Sequence, residues 1–154
     1  MAGSFTQELL EAHTGVELLQ MMADGELNGP PIAKLMNFYL SDVEKGRAVF
    51  RGTPTLDHYN PAGTVHGGWA ATILDSALGC SIQSMLPKGV MFTTIEIKVN
   101  MVRPMFDTTG EVICESTVLH FGRTIATSQA TLKNAEGKLF AHGTSTCAVL
   151  PYRK

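Results

Sequence analysis

The sequence is poor in charge and has no excess of basic residues. Only 17% of its 154 residues are charged, and 12 Lys and Arg stand against 14 Asp and Glu, which gives a formal net charge of −2 at pH 7. Without a basic excess, we expect no binding to nucleic acid or to an anionic membrane surface. The hydrophobic share of 44% excludes an intrinsically disordered chain, and the length suits one domain of ordinary size.

Cysteine is scarce, and the sequence has no long unbroken apolar run. The three cysteines, at positions 80, 114 and 147, form no CxxC pair and leave one thiol unpaired in any disulfide scheme. Residues 58–87 contain no Lys, Arg or Glu, but Asp75 and several glycines interrupt them, so a membrane span is not expected. The chain also starts with acidic rather than basic residues, unlike a signal peptide. These features predict a cytoplasmic protein with ordinary core thiols.

The first 40 residues differ in pattern from the rest of the chain. Apolar residues within 5–24 predict one or two short helices interrupted near Gly15, and the glycine- and proline-rich segment 25–31 breaks the pattern. Residues 32–38 are ambiguous. We therefore expect residues 1–40 to form a helical extension and residues 41–154 to form the main domain.

The main domain is predicted to contain one long helix and a series of strands. Apolar residues spaced by three and four predict a helix that begins near Thr64 or His66 and stops at Pro87 and Gly89. Alternating patterns predict strands near 47–51, 95–101, 111–120, 124–133 and 138–149, and short turns between the later strands favour antiparallel pairing. The expected fold class is α+β, with one long central helix packed on a mainly antiparallel sheet.

Asp75 is unusual for its place in this helix. It is the only formally charged residue between Asp57 and Lys88, and it lies at mid-helix, where aspartate has poor propensity and no capping role. The uncharged surroundings indicate a carboxylate buried on most sides, which is costly unless the group has a partner or a function. The alternative is an ordinary surface residue or the partner of a basic group.

Gly67 and Gly68 lie at the predicted start of the helix. Backbone N–H groups in a first helical turn have no intrahelical acceptor and lie at the positive end of the helix dipole. A substrate oxygen could approach them because glycine has no Cβ, and this geometry suits an oxyanion site. Close packing of the helix is an equally good reason for the two glycines.

The separation of Gly67 and Asp75 limits how they could cooperate. Eight residues along one helix correspond to about 12 Å, so one carbonyl group cannot contact both. A shared reaction would require two antiparallel copies of the helix across a two-fold axis. Cooperation of these residues therefore predicts a homodimer with two composite sites.

Two further polar residues lie beside the predicted helix start. Asn60 and His66 could orient a carbonyl group or a water molecule, although each taken alone better fits a loop-stabilising role. The spacing of His58, His66 and Asp75 matches no metal-ligand pattern, and we expect no metal site. A serine nucleophile is not expected because the sequence has no GxSxG motif.

Four segments of the sequence form a recognisable combination. They are HYNPAGTVHGGWAATILDSALG, TTIEIKVNMVRP, FGRTIATSQATL and EGKLFAHGTSTC. Together they resemble the PaaI-type branch of the hotdog-fold acyl-CoA thioesterases, over about residues 45–149. The resemblance implies a hotdog fold and tight homodimers that usually pair into a homotetramer.

The resemblance also implies catalytic roles for the matching positions. Asp75 would attack the thioester carbonyl or activate water, and Gly67 would polarise the carbonyl through its N–H. Asn60 and His66 would help to position the acyl group and the loop before the helix. Thr94 would hold the hydrolytic water on the carboxylate side.

The expected substrate is an acyl-CoA, and coenzyme A enters only as part of it. The resemblance implies that Arg123, with Gly122 in the same turn, contacts the coenzyme A phosphates. Gly79 departs from relatives that carry Ser or Thr one turn after the acid, which would leave room for a bulkier acyl group or a different water site.

The expected activity is metal-independent hydrolysis without an added cofactor. The alternatives are a hotdog-fold hydratase or dehydratase of acyl thioesters and a non-catalytic acyl-CoA-binding module.

Overall fold

A computed structural model describes residues 5–152. Residues 1–4 of the predicted extension and residues 153–154 of the predicted main domain lie outside the described residues. Its helices are α1 (Gln7–Ala12), α2 (Gly15–Ala23), α3 (Pro31–Leu35) and α4 (Gly67–Gln83). Its strands are β1 (Phe38–Glu44), β2 (Arg47–Gly52), β3 (Val90–Met101), β4 (Val112–Phe121), β5 (Ile125–Asn134) and β6 (Leu139–Pro151). No helix in the described part of the chain is both long and apolar enough to cross a membrane.

The strands form one sheet against which the long helix packs. The strand order is β1-β2-β4-β5-β6-β3, and every neighbouring pair is antiparallel. Helix α4 contacts all six strands and buries the large side chains of Trp69, Ile73, Leu74, Leu78 and Ile82. Each such side chain contributes about 1.5–3 kcal/mol when fully buried, so α4 supplies much of the core. The predicted α+β architecture is confirmed.

The two ends of α4 are fixed by side-chain hydrogen bonds. At its start, the His66 ring accepts a hydrogen bond from the Gly68 N–H at 2.8 Å and so caps the helix. At its end, the Ser84 hydroxyl donates to the Ser81 carbonyl at 2.6 Å and accepts from the Gly46 N–H at 2.8 Å. The helix therefore ends at Gln83, a few residues before the proline expected to stop it.

The N-terminal helices are bound to the main domain by backbone contacts. The Gly15 N–H donates to the Leu86 carbonyl at 2.9 Å, and the Gly89 N–H donates to the Leu10 carbonyl at 2.8 Å. Gly15 lies so close to α4 that a Cβ there would overlap the Gln83 carbonyl oxygen. The ambiguous segment after the break contains α3 and the start of β1, so the boundary predicted between residues 40 and 41 falls within that strand.

Strand β3 lies at one edge of the sheet and is irregular. Its register against β6 shifts between Thr94 and Glu96, where Ile95 is the extra residue of a bulge. The alternating pattern predicted over 95–101 places Ile95 on one half-buried face with Ile97, Val99 and Met101. This grouping is wrong for Ile95, because the bulge separates it from the others and leaves it 59% exposed. As a result, Thr94 rather than Ile95 faces α4.

Candidate functional site

Asp75 lies at the middle of α4 beside the edge strand. Its side chain is exposed, and the Thr94 hydroxyl donates a hydrogen bond of 3.4 Å to its Oδ1. The expected burial of this carboxylate is wrong for the single chain. The neighbouring Leu74 and Ala77 face the sheet, whereas Asp75 points along the open side of α4, towards β3. The lack of other charges on α4 reflects the burial of its remaining faces rather than of Asp75.

A groove of about 500 Å³ opens around Asp75, and we call it the acid groove. Its walls come from α4, from the first half of β3, from the N-terminal helices and from the C-terminal end of the described chain. The lining residues are Phe5, Leu10, Leu19, Met22, Pro30, Phe50, Asp75, Ser76, Gly79, Cys80, Gln83, Met91, Phe92, Thr94 and Tyr152. Apart from Asp75, none of these described residues carries a formal charge.

A separate cavity lies at the start of α4. This helix-start cavity has a volume of about 330 Å³, and Asn60, Gly67, Met101, Val102 and Arg103 are among the residues that line it. The His66 ring accepts a hydrogen bond from the Gly68 N–H, and the His66 carbonyl accepts one from the Trp69 N–H. Within residues 5–152, no group accepts a hydrogen bond from the Gly67 N–H. The first-turn donor that remains available is therefore the one predicted from the sequence.

Asn60 organises the loop that leads into α4. Its side-chain oxygen accepts hydrogen bonds from the Ala62 N–H at 2.9 Å and the Thr64 N–H at 3.2 Å. Its amide nitrogen donates to the Thr64 hydroxyl at 2.9 Å. These bonds form an Asx-type turn, so Asn60 holds the loop while its surface also lines the helix-start cavity.

His66 points away from the helix-start cavity. Its ring caps α4 and lies beside a different cavity, which His58 and Trp69 also line. The structure therefore brings Gly67 together with Asn60 but leaves the His66 side chain outside this group. The ring nitrogens of His58 lie within hydrogen-bond distance of Thr55 and of the Leu35 carbonyl, and no cluster of three or more potential metal ligands occurs within residues 5–152.

Gly122 and Arg123 occupy the turn between β4 and β5. The Gly122 N–H donates to the Ile125 carbonyl at 2.9 Å, and the Arg123 side chain is exposed. The turn lies at the same end of the sheet as Thr94, since one row of paired residues runs across Phe121, Ala126, Cys147 and Thr94. Arg123 does not line the acid groove of its own chain.

The space beside Gly79 is filled rather than open. A Cβ at Gly79 would lie 2.9 Å from the ring of Phe92, so the phenyl group occupies the place of the absent hydroxyl. The expected room for a bulkier acyl group at this point is therefore not present. Phe92 lies two residues before Thr94 on the same strand and so shares its face.

Cys80 also lines the acid groove, and the sequence did not single it out. Burial, together with the negative charge of Asp75, raises the pKa of this thiol to about 12. Cys80 is therefore a neutral, unreactive wall residue at physiological pH.

The chain is similar in sequence to a known protein family. A sequence model of the thioesterase superfamily matches residues 62–141, slightly more than half of the chain. The chain belongs to the thioesterase superfamily. The match begins just before α4 and ends within β6, so it includes Gly67, Asp75 and Thr94, while Asn60 and the N-terminal helices precede it.

Individual known proteins are similar to this chain over different lengths. A protein of Halobacterium salinarum, named provisionally as an esterase, is 36% identical over 77 residues, which are 48% of this chain and 49% of that protein. The match thus spans about half of that relative's length. A conserved protein of Pseudomonas aeruginosa is 29% identical in its solved structure, with 79% of this chain and 95% of that chain covered and a TM-score of 0.74.

The fold of the superfamily is also recognisable at lower identity. The PaaI protein from the phenylacetic acid degradation operon of E. coli superposes with a TM-score of 0.76 at 19% identity, covering 89% of this chain and 96% of that chain. The predicted hotdog fold and the PaaI-type thioesterase resemblance are both confirmed.

Proposed function

We propose that the protein hydrolyses acyl-CoA thioesters to the free acid and coenzyme A, at a site shared by two chains. Membership of the thioesterase superfamily supports thioester hydrolysis as the reaction class. The observation that carries the proposal further is the pairing of an exposed carboxylate, Asp75, with an apolar groove, while an available N–H lies at Gly67 on the same helix.

In the proposed reaction, the Gly67 N–H donates a hydrogen bond to the thioester carbonyl oxygen and stabilises the negative charge that develops there. Asp75 acts as general base and takes a proton from a water molecule, whose oxygen forms the new bond to the carbonyl carbon. The Thr94 hydroxyl holds this water beside the carboxylate. The C–S bond then breaks, and the thiolate of coenzyme A leaves and takes up the proton. Neither step calls for a metal or an added cofactor.

The two catalytic groups belong to different chains in this proposal. One end of β3 lies at each group, since Met101 Sδ lies where a Cβ of Gly67 would point and the Thr94 hydroxyl contacts Asp75. If β3 pairs with its own copy in antiparallel fashion around a two-fold axis near Lys98, the Thr94 end of one chain lies opposite the Met101 end of the other. Asp75 then approaches the helix-start cavity of the second chain.

The exposed surface of β3 supports this assembly. An unpaired edge strand offers free backbone groups for pairing with another chain. Large apolar side chains are exposed along it and just after it, namely Met91, Ile95, Met101, Val102 and Phe106. Burial of such side chains favours association.

We assign three finer features to the same proposal. Arg123 and Gly122 would bind the phosphates of coenzyme A, for which an exposed guanidinium group is well suited. Two dimers would form a homotetramer, with the exposed Leu119 and Ile125 as a further apolar surface. The proposed location is the cytoplasm, a reducing compartment in which free thiols such as Cys80, Cys114 and Cys147 persist.

A thioester panel with thiol detection tests the activity. Saturated acyl-CoA esters should release free coenzyme A in proportion to the acid formed. Hydration of an enoyl-CoA without thiol release would instead establish a hydratase. Tight binding of acyl-CoA without either reaction would establish a binding module.

A further inference from the structure

The N-terminal helices contribute a wall to the acid groove although they lie outside the region that matches the superfamily. Phe5, Leu10, Leu19 and Met22 line the groove opposite Asp75. Their position is fixed, because Gly15 packs directly on α4 and its N–H binds the Leu86 carbonyl. This wall is therefore a built part of the groove, supplied by a segment that precedes the region matched by the superfamily model.

Three residues lie between the acid groove and a second cavity. Met22, Pro30 and Phe50 line the acid groove, and the same three residues also line a second cavity of about 510 Å³ beneath α3 and β1. They thus form a partition between two cavities of similar size. Phe50 is buried in the core and packs edge-on against Phe38, so it is the fixed part of the partition. Met22, an unbranched and flexible side chain, is its adjustable part.

We propose that the acid groove is an acyl pocket for uncharged apolar acyl groups, and that the partition at Met22 limits their length. This inference rests on the proposed function. Two observations carry it beyond acyl-CoA hydrolysis in general. None of the described lining residues is a cation that could pair with a carboxylate on the acyl group, and Asp75 would repel such a carboxylate. The second cavity gives an acyl chain further space only if the partition opens.

The acyl pocket has a preferred direction in this proposal. The thioester lies at Asp75 and Thr94, and the acyl chain extends from there between α4 and the N-terminal helices towards Met22. Phe92 fills the space at Gly79 and so keeps the chain on the side of the N-terminal helices. Each methylene that the pocket accepts should raise kcat/KM about fourfold, and methylenes that reach the partition should add nothing or lower it.

The test compares chain-length profiles of three enzymes. Straight-chain acyl-CoA esters from two to sixteen carbons are assayed by thiol release with the wild type, with Met22→Ala and with Met21→Ala. Met21 is the matched control, because it neighbours Met22 on α2 but lines neither cavity. Thermal unfolding of each variant checks that the N-terminal helices remain docked. Butyryl-CoA and succinyl-CoA, which share a four-carbon acyl skeleton, measure the effect of a terminal charge.

We expect the Met22→Ala optimum to shift by at least two carbons towards longer chains, while Met21→Ala keeps the wild-type optimum. Succinyl-CoA should be at least tenfold poorer than butyryl-CoA in kcat/KM. Identical optima in all three enzymes would overturn the partition, and equal use of succinyl-CoA would overturn the apolar pocket.

These failures are distinct from failure of the proposed function, in which no thioester in the panel releases thiol. In that case, calorimetry measures the binding of the same esters. An unchanged chain length of tightest binding in Met22→Ala overturns the acyl pocket, and a longer one supports the pocket.

Discussion

The two halves of the candidate site, both on α4, differ in how completely their own chain supports them. At the helix start, Asn60 and His66 fix the loop and the first turn through four hydrogen bonds, and one N–H at Gly67 is left available. At mid-helix, Asp75 is exposed and receives, from residues 5–152, a single long hydrogen bond, which Thr94 donates. The helix-start half is thus held in place by its own chain, whereas the Asp75 half has few polar contacts within its own chain.

In the proposed two-chain site, a second chain supplies the neighbours that Asp75 lacks in its own chain. An exposed carboxylate beside an unpaired edge strand gains neighbours when a second chain pairs with that edge. The rigid helix-start cavity then belongs to one chain and the acid groove to the other. A single chain accordingly holds two unlike half-sites, and substitutions in them should have different effects on activity and on stability.

Removal of the acid should have the largest effect. Asp75→Asn is expected to lower kcat by at least about one hundredfold, because the amide cannot accept the proton of the attacking water. Since the side chain is exposed, the midpoint of thermal unfolding should not fall. The measurement is thiol release beside calorimetric unfolding, with Glu136→Gln, at an exposed acid in the β5–β6 turn, as control. Near-wild-type turnover in Asp75→Asn would remove Asp75 from the mechanism.

Loss of the hydroxyl beside the acid should have a smaller effect. Thr94→Val is expected to lower kcat about tenfold, while Thr94→Ser should retain most of the activity because it keeps the hydroxyl. Thr93→Val is the matched control, since Thr93 is the next residue of β3 and lies on its opposite face. Equal activities of the Val and Ser variants would show that Thr94 does not hold the water.

The helix-start half should respond mainly in stability. Asn60→Ala removes three hydrogen bonds from the loop and is expected to lower the free energy of unfolding by about 1–2 kcal/mol. The unfolding midpoint measures this, with Asn28→Ala as control because Asn28 is exposed. A loss of turnover above one hundredfold at unchanged stability would instead give Asn60 a direct contact with substrate.

The sequence predicted the secondary structure elements that depend on interactions between residues close together in the chain. The spacing of apolar residues located α4, and the paired glycines located its start, because both features depend on residues within a few positions. The same reasoning misplaced Ile95, since a bulge depends on the partner strand. It also misjudged the exposure of Asp75, because the lack of charge on a helix does not show which of its faces the sheet covers.

The features that depend on distant parts of the chain could not be predicted. The N-terminal helices were recognised as helices, but their contact with the acid groove arises only when Gly15 packs against Gln83. Phe92 and Gly79 are similarly separated in sequence and meet only because β3 crosses α4. Such contacts follow from the packing of segments against one another, and the periodicity within a single segment does not predict them.

The central claim, a site composed of two chains, is tested most directly by complementation. Asp75→Asn lacks the acid, and Gly67→Val places a branched side chain over the N–H donor, where even a Cβ meets Met101. Each variant alone should be inactive but folded. When both are co-expressed in equal amounts, about a quarter of the sites combine an intact acid from one chain with an intact donor from the other. Recovery of about a quarter of wild-type turnover is the predicted result, and no recovery above the separate variants would contradict the account.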